Sequence, residues 1–253
     1  MLAEQRREKI VELIRENGNV RVSKISKLFN VSEPTIRQDL IKIEANGEIA
    51  RDHGGAYLKT LPDNVKSLSL LHMNNIDQKK RIGKKASEFV NPQTSIILDS
   101  GTTVTELAKV IVNIKELRVI TNSLNIALIL GAEPGIEVHV TGGEFKAPTL
   151  SLTGDKAAMY FNNLNVHQLF LAAAGVTFSD GLTYPGFSDL PIKKAMIESA
   201  QEVYLLVDST KINRPAFVSL NVLDKIDYLI TDEGIQESDK DKFESLGIKV
   251  IVA

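Results

Sequence analysis

The first part of the chain carries hydrophobic residues at helical spacing. Ile10, Leu13 and Ile14 recur every three to four positions, which predicts a helix over Ala3–Asn17 with an Asn-Gly pair as its stop. The segment Val20–Val22 predicts one short strand.

A second and a third helix follow with a short connection between them. The second helix is predicted to turn Ile25, Leu28 and Phe29 inward. Ser32 is suited to cap the third helix, because its hydroxyl can accept a bond from a backbone N–H of the first turn. Pro34 fits that turn, where its missing N–H costs nothing.

The third helix has two different faces. Ile36, Leu40 and Ile43 fall on one side and predict a buried stripe. The other side and its flanks hold Pro34, Thr35, Arg37, Gln38, Ile41, Lys42 and Ala45. Gly47 is predicted to end the helix.

The run Glu48–Ala56 predicts a small β-hairpin, or wing. Gly54 and Gly55 are predicted to take the positive φ of its turn. Arg51 and His53 would lie on this wing near a phosphate backbone.

Two short helices with a short connection, the second of them polar on its outer face, are typical of a domain that reads the major groove of DNA. Thr35, Arg37 and Gln38 have useful reach there, since Arg can bind guanine and Gln can bind adenine through two hydrogen bonds. The spacing alone is equally compatible with a small helical domain that carries ordinary solvated charges.

From Ser95 onward, short apolar runs alternate with helical stretches. The predicted strands are Ser95–Leu98, Leu117–Ile120, Ile136–Thr141, Gln168–Ala172, Val203–Val207, Tyr228–Ile230 and Lys249–Val252. The predicted helices are Val104–Val112, Leu124–Leu130, Lys156–Phe161, Ile192–Ala200 and Asp239–Leu246. The alternation predicts an α/β fold with a mainly parallel sheet flanked by helices, in which ligands bind at the carboxyl ends of the strands.

The two patterns are separated by Tyr57–Asn75, which has mixed composition and no clean periodicity. We interpret it as an interdomain connector whose Leu68, Leu70 and Leu71 can pack. The predicted organisation is therefore a DNA-binding domain over 1–57, a linker over 58–76 and a second domain over 77–253.

A helical pattern over Asp77–Phe89 is rich in basic residues, namely Lys79, Lys80, Arg81, Lys84 and Lys85. We interpret this run as a solvated helix face and prefer that interpretation to a second DNA contact.

Polar residues follow four of the predicted strands. They occur in Asp99–Thr103, in Thr121–Ser123, at the pair Gly142 and Gly143, and in Asp208–Lys211. Any one of these segments could be a simple helix cap or turn. Four of them at one edge of a sheet favour a shared anion pocket, in which a helix N-terminus can hold phosphate. The spacing of an ATP-binding Walker loop is absent from the sequence.

Composition excludes several classes of function. The chain has no cysteine, which excludes disulfides and thiolate metal sites, and its four histidines lie far apart, so we expect neither a metal nor a cofactor. No apolar stretch reaches the roughly 18 residues of a membrane span, and the first residues read as a helix instead of a signal peptide. We therefore expect a cytoplasmic protein without a membrane partner.

The net charge of −2 does not by itself indicate a nucleic-acid partner. Residues 1–60, however, hold eleven Lys or Arg against nine Asp or Glu, whereas the remainder is acidic. This asymmetry favours DNA binding by the N-terminal part.

The segment Val31–Ala56, VSEPTIRQDLIKIEANGEIARDHGGA, resembles the signature of the DeoR family of bacterial transcription regulators. It departs from the family at Gln38, where a second Arg is more usual, and Arg21 also replaces a more usual Ser or Thr. The resemblance implies DNA binding by Ser32, Thr35, Arg37, Gln38, Lys42, Arg51, His53 and Gly54.

The second domain also resembles the DeoR-family effector domain, whose fold is similar to ribose-5-phosphate isomerase. The resemblance rests on ILDSGTT, VITNS, TGGE, DGLT, KKAMI, DSTK and LITDEG between Ile97 and Gly234. It implies a phosphosugar site in which Ser100–Thr103 hold phosphate, Asp99, Asn122 and Asp208 bind hydroxyls, and Lys211 adds positive charge. The full predicted set is Asp99, Ser100, Gly101, Thr102, Thr103, Thr121, Asn122, Ser123, Gly142, Gly143, Gly175, Asp208 and Lys211.

The main alternative is a sugar-phosphate isomerase fused to a DNA-binding domain. Isomerisation needs a carboxylate base, but the stretch Leu171–Val176 that corresponds to the acid-rich loop of the isomerases holds none, and Ala174 replaces the Asp of many relatives. Asp99 and Asp208 could substitute, although hydroxyl binding explains them equally well. A purely structural or protein-binding domain would leave the polar strand ends unexplained. The nearby segment Tyr184–Pro191 is expected to shape the sugar end of the pocket.

The sequence thus predicts a transcription repressor of a sugar-metabolism operon and not an enzyme. Its expected partners are double-stranded operator DNA and a phosphorylated sugar that relieves repression. We expect a homo-oligomer, either a dimer or a tetramer, because such motifs read paired half-sites.

Overall fold

The computed structural model describes residues 3–17, 19–45, 49–51, 54–58 and 74–253. The chain divides into two compact units, one within residues 1–70 and one within residues 71–253. The predictions for Gly47, His53, Leu68, Leu70 and Leu71 fall outside the described residues.

The first unit combines three helices with a small antiparallel sheet. Its elements are α1 (Ala3–Asn17), β1 (Asn19–Arg21), α2 (Val22–Phe29), α3 (Glu33–Ala45), β2 (Ile49–Arg51) and β3 (Gly55–Leu58). Strand β3 lies between β1 and β2 and is antiparallel to both. The predicted helix-turn-helix and wing are therefore both present.

The core of this unit consists of aliphatic side chains from all three helices. Ile10, Ile14, Ile36, Leu40 and Ile43 are buried together, as the spacing predicts for the positions in α1 and α3.

The prediction for Leu28 is wrong, because this side chain is 62% exposed. Val22 and Ile25 are buried and Phe29 packs against the same cluster, so the inward stripe of α2 runs through these three positions and Leu28 lies to its side.

Neither Gly54 nor Gly55 takes the positive φ that we predicted, and Gly55 has a different reason to be glycine. Its role is steric: a Cβ at this position would overlap the carbonyl oxygen of Val20 on the neighbouring strand β1. Only glycine allows β3 to approach β1 this closely.

The second unit is built on a seven-stranded parallel sheet. Its strands in spatial order are β15 (Lys249–Val252), β14 (Tyr228–Thr231), β12 (Ala200–Leu206), β9 (Val166–Leu171), β4 (Ser95–Leu98), β5 (Leu117–Thr121) and β6 (Ile136–Val140). All seven correspond to predicted strands, and the predicted fold class is confirmed.

Both faces of this sheet are buried. Ile97 belongs to one hydrophobic cluster, whereas its neighbours Ile96 and Leu98 belong to the other. Leu169 and Phe170 divide in the same way on the adjacent strand. This alternation explains the continuous apolar runs of the sequence, since a parallel strand covered by helices on both sides has no polar face.

The helices of this unit are α4 (Ile76–Ser87), α5 (Thr102–Val110), α6 (Leu124–Leu130), α7 (Asp155–Ala158), α8 (Leu190–Glu198) and α9 (Glu237–Ser245). The predicted helix Ile192–Ala200 is wrong at its C-terminal end, because Ala200 already begins β12. None of the described helices is long and apolar enough to cross a membrane.

Two smaller sheets lie beside the main one and were not predicted. They are the hairpin of β7 (Glu144–Lys146) with β8 (Ser151–Thr153) and the antiparallel sheet of β10 (Gly175–Thr177), β11 (Gly181–Tyr184) and β13 (Val218–Leu220). Strands of three or four residues are too short to show a periodic pattern.

Candidate DNA-binding surface and effector site

The outward face of α3 is polar and accessible. Arg37, Gln38 and Lys42 are exposed, as are Pro34, Ile41 and Ala45, while Thr35 is half-buried. Asp39, which belongs to the DeoR-like motif, is instead buried and forms an ion pair with Arg6 of α1 at 2.6 Å. This motif residue therefore ties α3 to α1.

The N-terminus of α3 is capped as predicted. The Ser32 hydroxyl accepts a bond from the backbone N–H of Thr35 at 3.4 Å and lies 2.8 Å from the Thr35 hydroxyl. Arg37 donates to the Glu33 carboxylate at 3.0 Å, and both side chains are largely exposed. Arg37 can leave this pair at little cost, because exposed ion pairs of this kind contribute well below about 1 kcal/mol.

The wing is connected to the end of α3 by one carboxylate. Glu44 accepts from the Arg51 backbone N–H at 3.0 Å and from Arg51 Nε at 2.6 Å. At the other end of the wing, the Gly54 carbonyl accepts from the backbone N–H of Val22 at 2.9 Å. The wing is thereby held to both helices of the helix-turn-helix.

Apart from Gly175, which begins β10, the predicted effector residues of the second unit lie at or after the carboxyl ends of β4, β5, β6 and β12 in the parallel sheet. Asp99 comes directly after β4 and is completely buried. Its carboxylate accepts from the Ser100 backbone N–H at 2.7 Å, from the Ala172 backbone N–H at 3.0 Å and from Lys193 Nζ. Asp99 is thus already neutralised by a buried lysine.

The segment after Asp99 leads into the N-terminus of α5. Gly101 is the residue before the helix, and no side chain of the described residues caps it. A Cβ on Gly101 would overlap the side chain of Ala172, so β9 and α5 approach each other closely there. Ser100 and Thr102 are half-buried and Thr103 is buried. The first backbone N–H groups of α5 provide a positive site at which an anion can bind.

The residues after β5 divide into two roles. Thr121 donates to the Leu98 carbonyl at 2.7 Å and accepts from the Ser123 backbone N–H, while Ser123 caps α6 by accepting from the N–H of Ile126. Both hydroxyls serve local structure.

Asn122 is different, since its Nδ2 donates to Ser100 Oγ at 3.3 Å and to the Leu152 carbonyl at 3.1 Å. Its buried Oδ1 has no hydrogen-bond partner among the described residues. A missing partner at a buried oxygen is unusual in a native structure and requires an explanation.

Three predicted glycines have separate explanations. Gly142, after β6, has open space where its Cβ would be. Gly143 has a φ of 125°, which favours glycine, and a Cβ there would lie 2.7 Å from the Ala157 side chain. A Cβ on Gly175 would overlap the Arg214 carbonyl, so this residue is required for packing.

A second polar group lies after β12. Asp208 is buried and accepts from Asn75 Nδ2 at 3.1 Å and from the backbone N–H and hydroxyl of Thr210. Lys211, which is half-buried, ends the same short turn.

Lys79 is buried, so the prediction of a solvated helix face is wrong for this residue, although Lys80, Arg81 and Lys84 are exposed. Burial lowers the pKa of Lys79 to about 8, and nearby Lys211 adds to this effect, whereas Asp208 and Glu106 oppose it. Because Asp208, Lys211 and Glu106 all influence the pKa of Lys79, the elements that carry these residues lie close together. These elements are α4, α5 and the turn after β12. The sequence contains a signal for this, because Lys79 lies three residues before buried Ile82, on the inward face of α4.

A further polar cluster joins the segment Tyr184–Pro191, which we expected to shape the pocket, to two lysines that the predicted set lacks. Lys193 of α8 is buried beside Asp99, with its Nζ 5.4 Å from the centre of the Tyr184 ring. Lys146 of β7 donates to Asp189 at 2.5 Å. Burial raises the pKa of Tyr184 well above its ordinary value, and the Asp99 and Asp189 carboxylates raise it further. The Tyr184 hydroxyl has no hydrogen-bond partner among the described residues.

An open groove of about 620 Å³ lies at the opposite, amino ends of β4, β5, β6 and β9. Its lining includes Ser95, Arg118, Glu137 and His167, and Arg118 is already paired with Glu137 at 2.9 Å. This groove is separate from the buried polar groups, and we place the candidate site at the carboxyl edge, where these groups and the α5 N-terminus meet.

A winged helix-turn-helix joined to an α/β unit with a polar strand edge defines the class of two-domain DNA-binding regulators. Residues 6–60 match the DeoR-like helix-turn-helix domain, and residues 74–233 match the DeoR C-terminal sensor domain. The chain belongs to the DeoR family of transcription regulators.

Several known proteins are similar to this chain. The chain is 34% identical to the uncharacterized HTH-type transcriptional regulator YulB of Bacillus subtilis, with 99% of this chain and 96% of that protein covered. It is 34% identical to the lactose phosphotransferase system repressor of Streptococcus mutans, with 95% of each covered. Among solved structures, ribose 5-phosphate isomerase A of Methanocaldococcus jannaschii is similar over 55% of each chain at 19% identity, with a TM-score of 0.40.

Proposed function

We propose that this regulator represses a sugar-metabolism operon and that a phosphorylated sugar relieves repression by binding at the carboxyl edge of the sheet. The observation that carries the proposal is the buried Asn122 Oδ1 beside the uncapped N-terminus of α5. The oxygen requires a hydrogen-bond donor, whereas the helix terminus favours an anion. A sugar phosphate supplies both from one molecule.

The phosphate would lie against Ser100–Thr103, where backbone N–H groups and two half-buried hydroxyl groups are available. Lys79 and Lys211 would supply the positive charge. We add Lys79 to the predicted set because a buried ammonium with a lowered pKa is stabilised by an arriving dianion.

The hydroxyl groups of the sugar would bind Asn122 and Thr141. Both residues have a buried oxygen that lacks a partner in the described chain, and they follow the neighbouring strands β5 and β6. We revise the expected roles of Asp99 and Asp208, because both carboxylates are already bonded within the protein. They would position the site instead of binding the sugar.

The same contacts argue against the isomerase alternative. A general base must have a free oxygen within reach of the substrate carbon. Asp99 is buried and paired with Lys193, and the connection between β9 and β10 holds no carboxylate. The relatives described above are transcription regulators.

We further propose a homo-oligomer, a dimer or tetramer, because two copies of the helix-turn-helix would read the two half-sites of an operator. The proposed organisation remains a DNA-binding domain over 1–57, a linker over 58–76 and a sensor domain over 77–253. Because the operator DNA of a prokaryote lies in the cytoplasm, we propose that the regulator acts there.

The test is a fluorescence-anisotropy titration of the purified protein with DNA from its own upstream region, with and without a panel of sugar phosphates. Salt must be constant, because phosphate contacts make the affinity steeply salt-dependent. We expect one sugar phosphate to weaken DNA binding and its unphosphorylated form to have no effect. If DNA binds but no member of the panel changes the affinity, the effector proposal is wrong.

A further inference from the structure

We propose that Glu44 is a positioning residue for DNA binding: it fixes Arg51 of the wing so that the guanidinium faces a phosphate. This inference rests on the proposed contact between the wing and DNA. The observation that carries it is the pair of hydrogen bonds that the Glu44 carboxylate accepts from Arg51. Through this one side chain they connect the last turn of α3 to strand β2.

The geometry separates the two ends of the Arg51 guanidinium. Glu44 Oε2 accepts from Arg51 Nε at 2.6 Å, and Oε1 accepts from the Arg51 backbone N–H at 3.0 Å. The described residues give no partner to the two terminal nitrogens of Arg51, and the side chain is 36% exposed. A planar guanidinium held at Nε presents those two nitrogens together, which suits the paired oxygens of a phosphate.

A free arginine side chain would lose conformational entropy when it binds phosphate. Holding the side chain before DNA arrives removes part of this cost. The bond to the backbone N–H also fixes the start of the wing relative to α3. Glu44 therefore sets the distance between the base-reading helix and the phosphate-binding arginine.

This role makes a prediction opposite in sign to simple electrostatics. Removing a negative charge close to DNA should strengthen binding, because the carboxylate repels phosphate. If Glu44 positions Arg51, its removal weakens binding instead. A residue that only stabilised the fold would lower the melting temperature without changing the salt dependence of binding.

The experiment uses the full-length protein and a labelled duplex of about 30 base pairs of mixed sequence at about 50 mM salt, because phosphate contacts do not depend on sequence. We expect Glu44→Gln to weaken binding about fivefold, which corresponds to a typical net hydrogen-bond contribution. We expect Glu44→Asp to weaken it as well, since this variant keeps the charge but shortens the reach. Both variants, like Arg51→Ala, should reduce the slope of log affinity against log salt concentration by the amount expected for about one lost phosphate contact.

Glu8→Gln is the matched control, because Glu8 is an exposed carboxylate on α1 whose loss removes the same charge. It should not weaken binding. In an Arg51→Ala background, Glu44→Gln should cause a much smaller loss than in the wild type, since the guanidinium that it positions is gone and only its bond to the backbone N–H remains. Thermal melts establish that each variant is folded.

The inference is overturned if Glu44→Gln binds the duplex as tightly as the wild type or more tightly, or if its full effect persists without Arg51. Failure of the wild-type protein to bind any duplex would overturn DNA binding itself. The two failures are therefore distinguishable.

Discussion

The two candidate sites of this protein use charge in different ways. On α3, Arg37 is exposed and its pair with Glu33 is open to solvent, so its interactions are screened by salt. At the carboxyl edge of the sheet, Lys193 and Asp99 are both buried, and their pair is protected from screening. Loosely paired charges suit a surface that exchanges partners. A pocket that must hold one geometry buries them.

The largest expected effect comes from breaking the buried pair. Lys193→Met should destabilise the protein by about 3–5 kcal/mol, because Asp99 would remain buried without a cation. Thermal or urea denaturation measures this loss. Lys194→Met is the matched control, since Lys194 is exposed and only weakly paired with Glu198, and its change should stay within about 0.5 kcal/mol. If Lys193→Met and Lys194→Met lost the same amount of stability, the buried pair would have no special importance.

Crowding the N-terminus of α5 should separate the two sites functionally. Gly101→Ala places a methyl group against Ala172 and should cost about 1–3 kcal/mol while it abolishes the response to the sugar phosphate. DNA affinity without effector should not change. Ala172→Gly should partly restore the Gly101→Ala variant, because it removes the methyl group that the new side chain meets. A loss of DNA affinity in folded Gly101→Ala protein would contradict this separation.

Removing the exposed arginine should affect only DNA. Arg37→Ala is expected to weaken operator binding about tenfold, as for the loss of one contact to a base edge, without altering effector binding or stability. The control is Arg81→Ala, which removes another exposed, ion-paired arginine from the sensor unit. Anisotropy titrations of both variants at one salt concentration test the prediction, and equal losses would indicate a general charge effect.

The smallest effect is a pH dependence of effector binding. The pKa of Lys79 is about 8, so its ammonium is mostly protonated at pH 7 and mostly neutral at pH 9. The groups that influence it are Asp208, Glu106 and Lys211. An anionic ligand favours the ammonium, and therefore effector affinity should fall by up to about tenfold between pH 7 and pH 9.

Lys79→Met should remove this pH step, whereas Lys80→Met, at an exposed position, should retain it. The same residue affects stability with a definite sign. Because its pKa is lower in the folded than in the unfolded state, the unfolded chain binds more protons between about pH 8 and 10.5, and this contribution to stability rises with pH there. An effector affinity that stays constant between pH 7 and pH 9 would exclude Lys79 from the site.

The sequence was sufficient to predict the main sheet and the winged helix-turn-helix, because their residues repeat with a clear period. Ile97 and Leu169 belong to continuous apolar runs, which are typical of strands that are buried on both faces. The polar strand ends were also predictable, since Asp99 and Asn122 come directly after such runs.

The buried lysines were not predicted, because sequence patterns assign lysine to the surface. Lys79 and Lys193 share the inward faces of their helices with Ile82 and Met196, and only the burial of the whole face reveals their role. The bonds that occupy Asp99 could not be predicted either. They depend on Lys193 and Ala172, which are distant in sequence and meet only in the fold.

The division of α3 into two faces also has an evolutionary consequence. Ile36, Asp39 and Leu40 are buried and hold the helix in place. Gln38, Ile41 and Lys42 are exposed, so the packing of the domain does not depend on them. Substitutions at outward positions typically cost less than about 0.5 kcal/mol. On the proposed reading of the operator by α3, a copy of this regulator that arises by gene duplication can acquire a new operator through changes along one side of one helix, while its fold and its sensor domain are inherited intact.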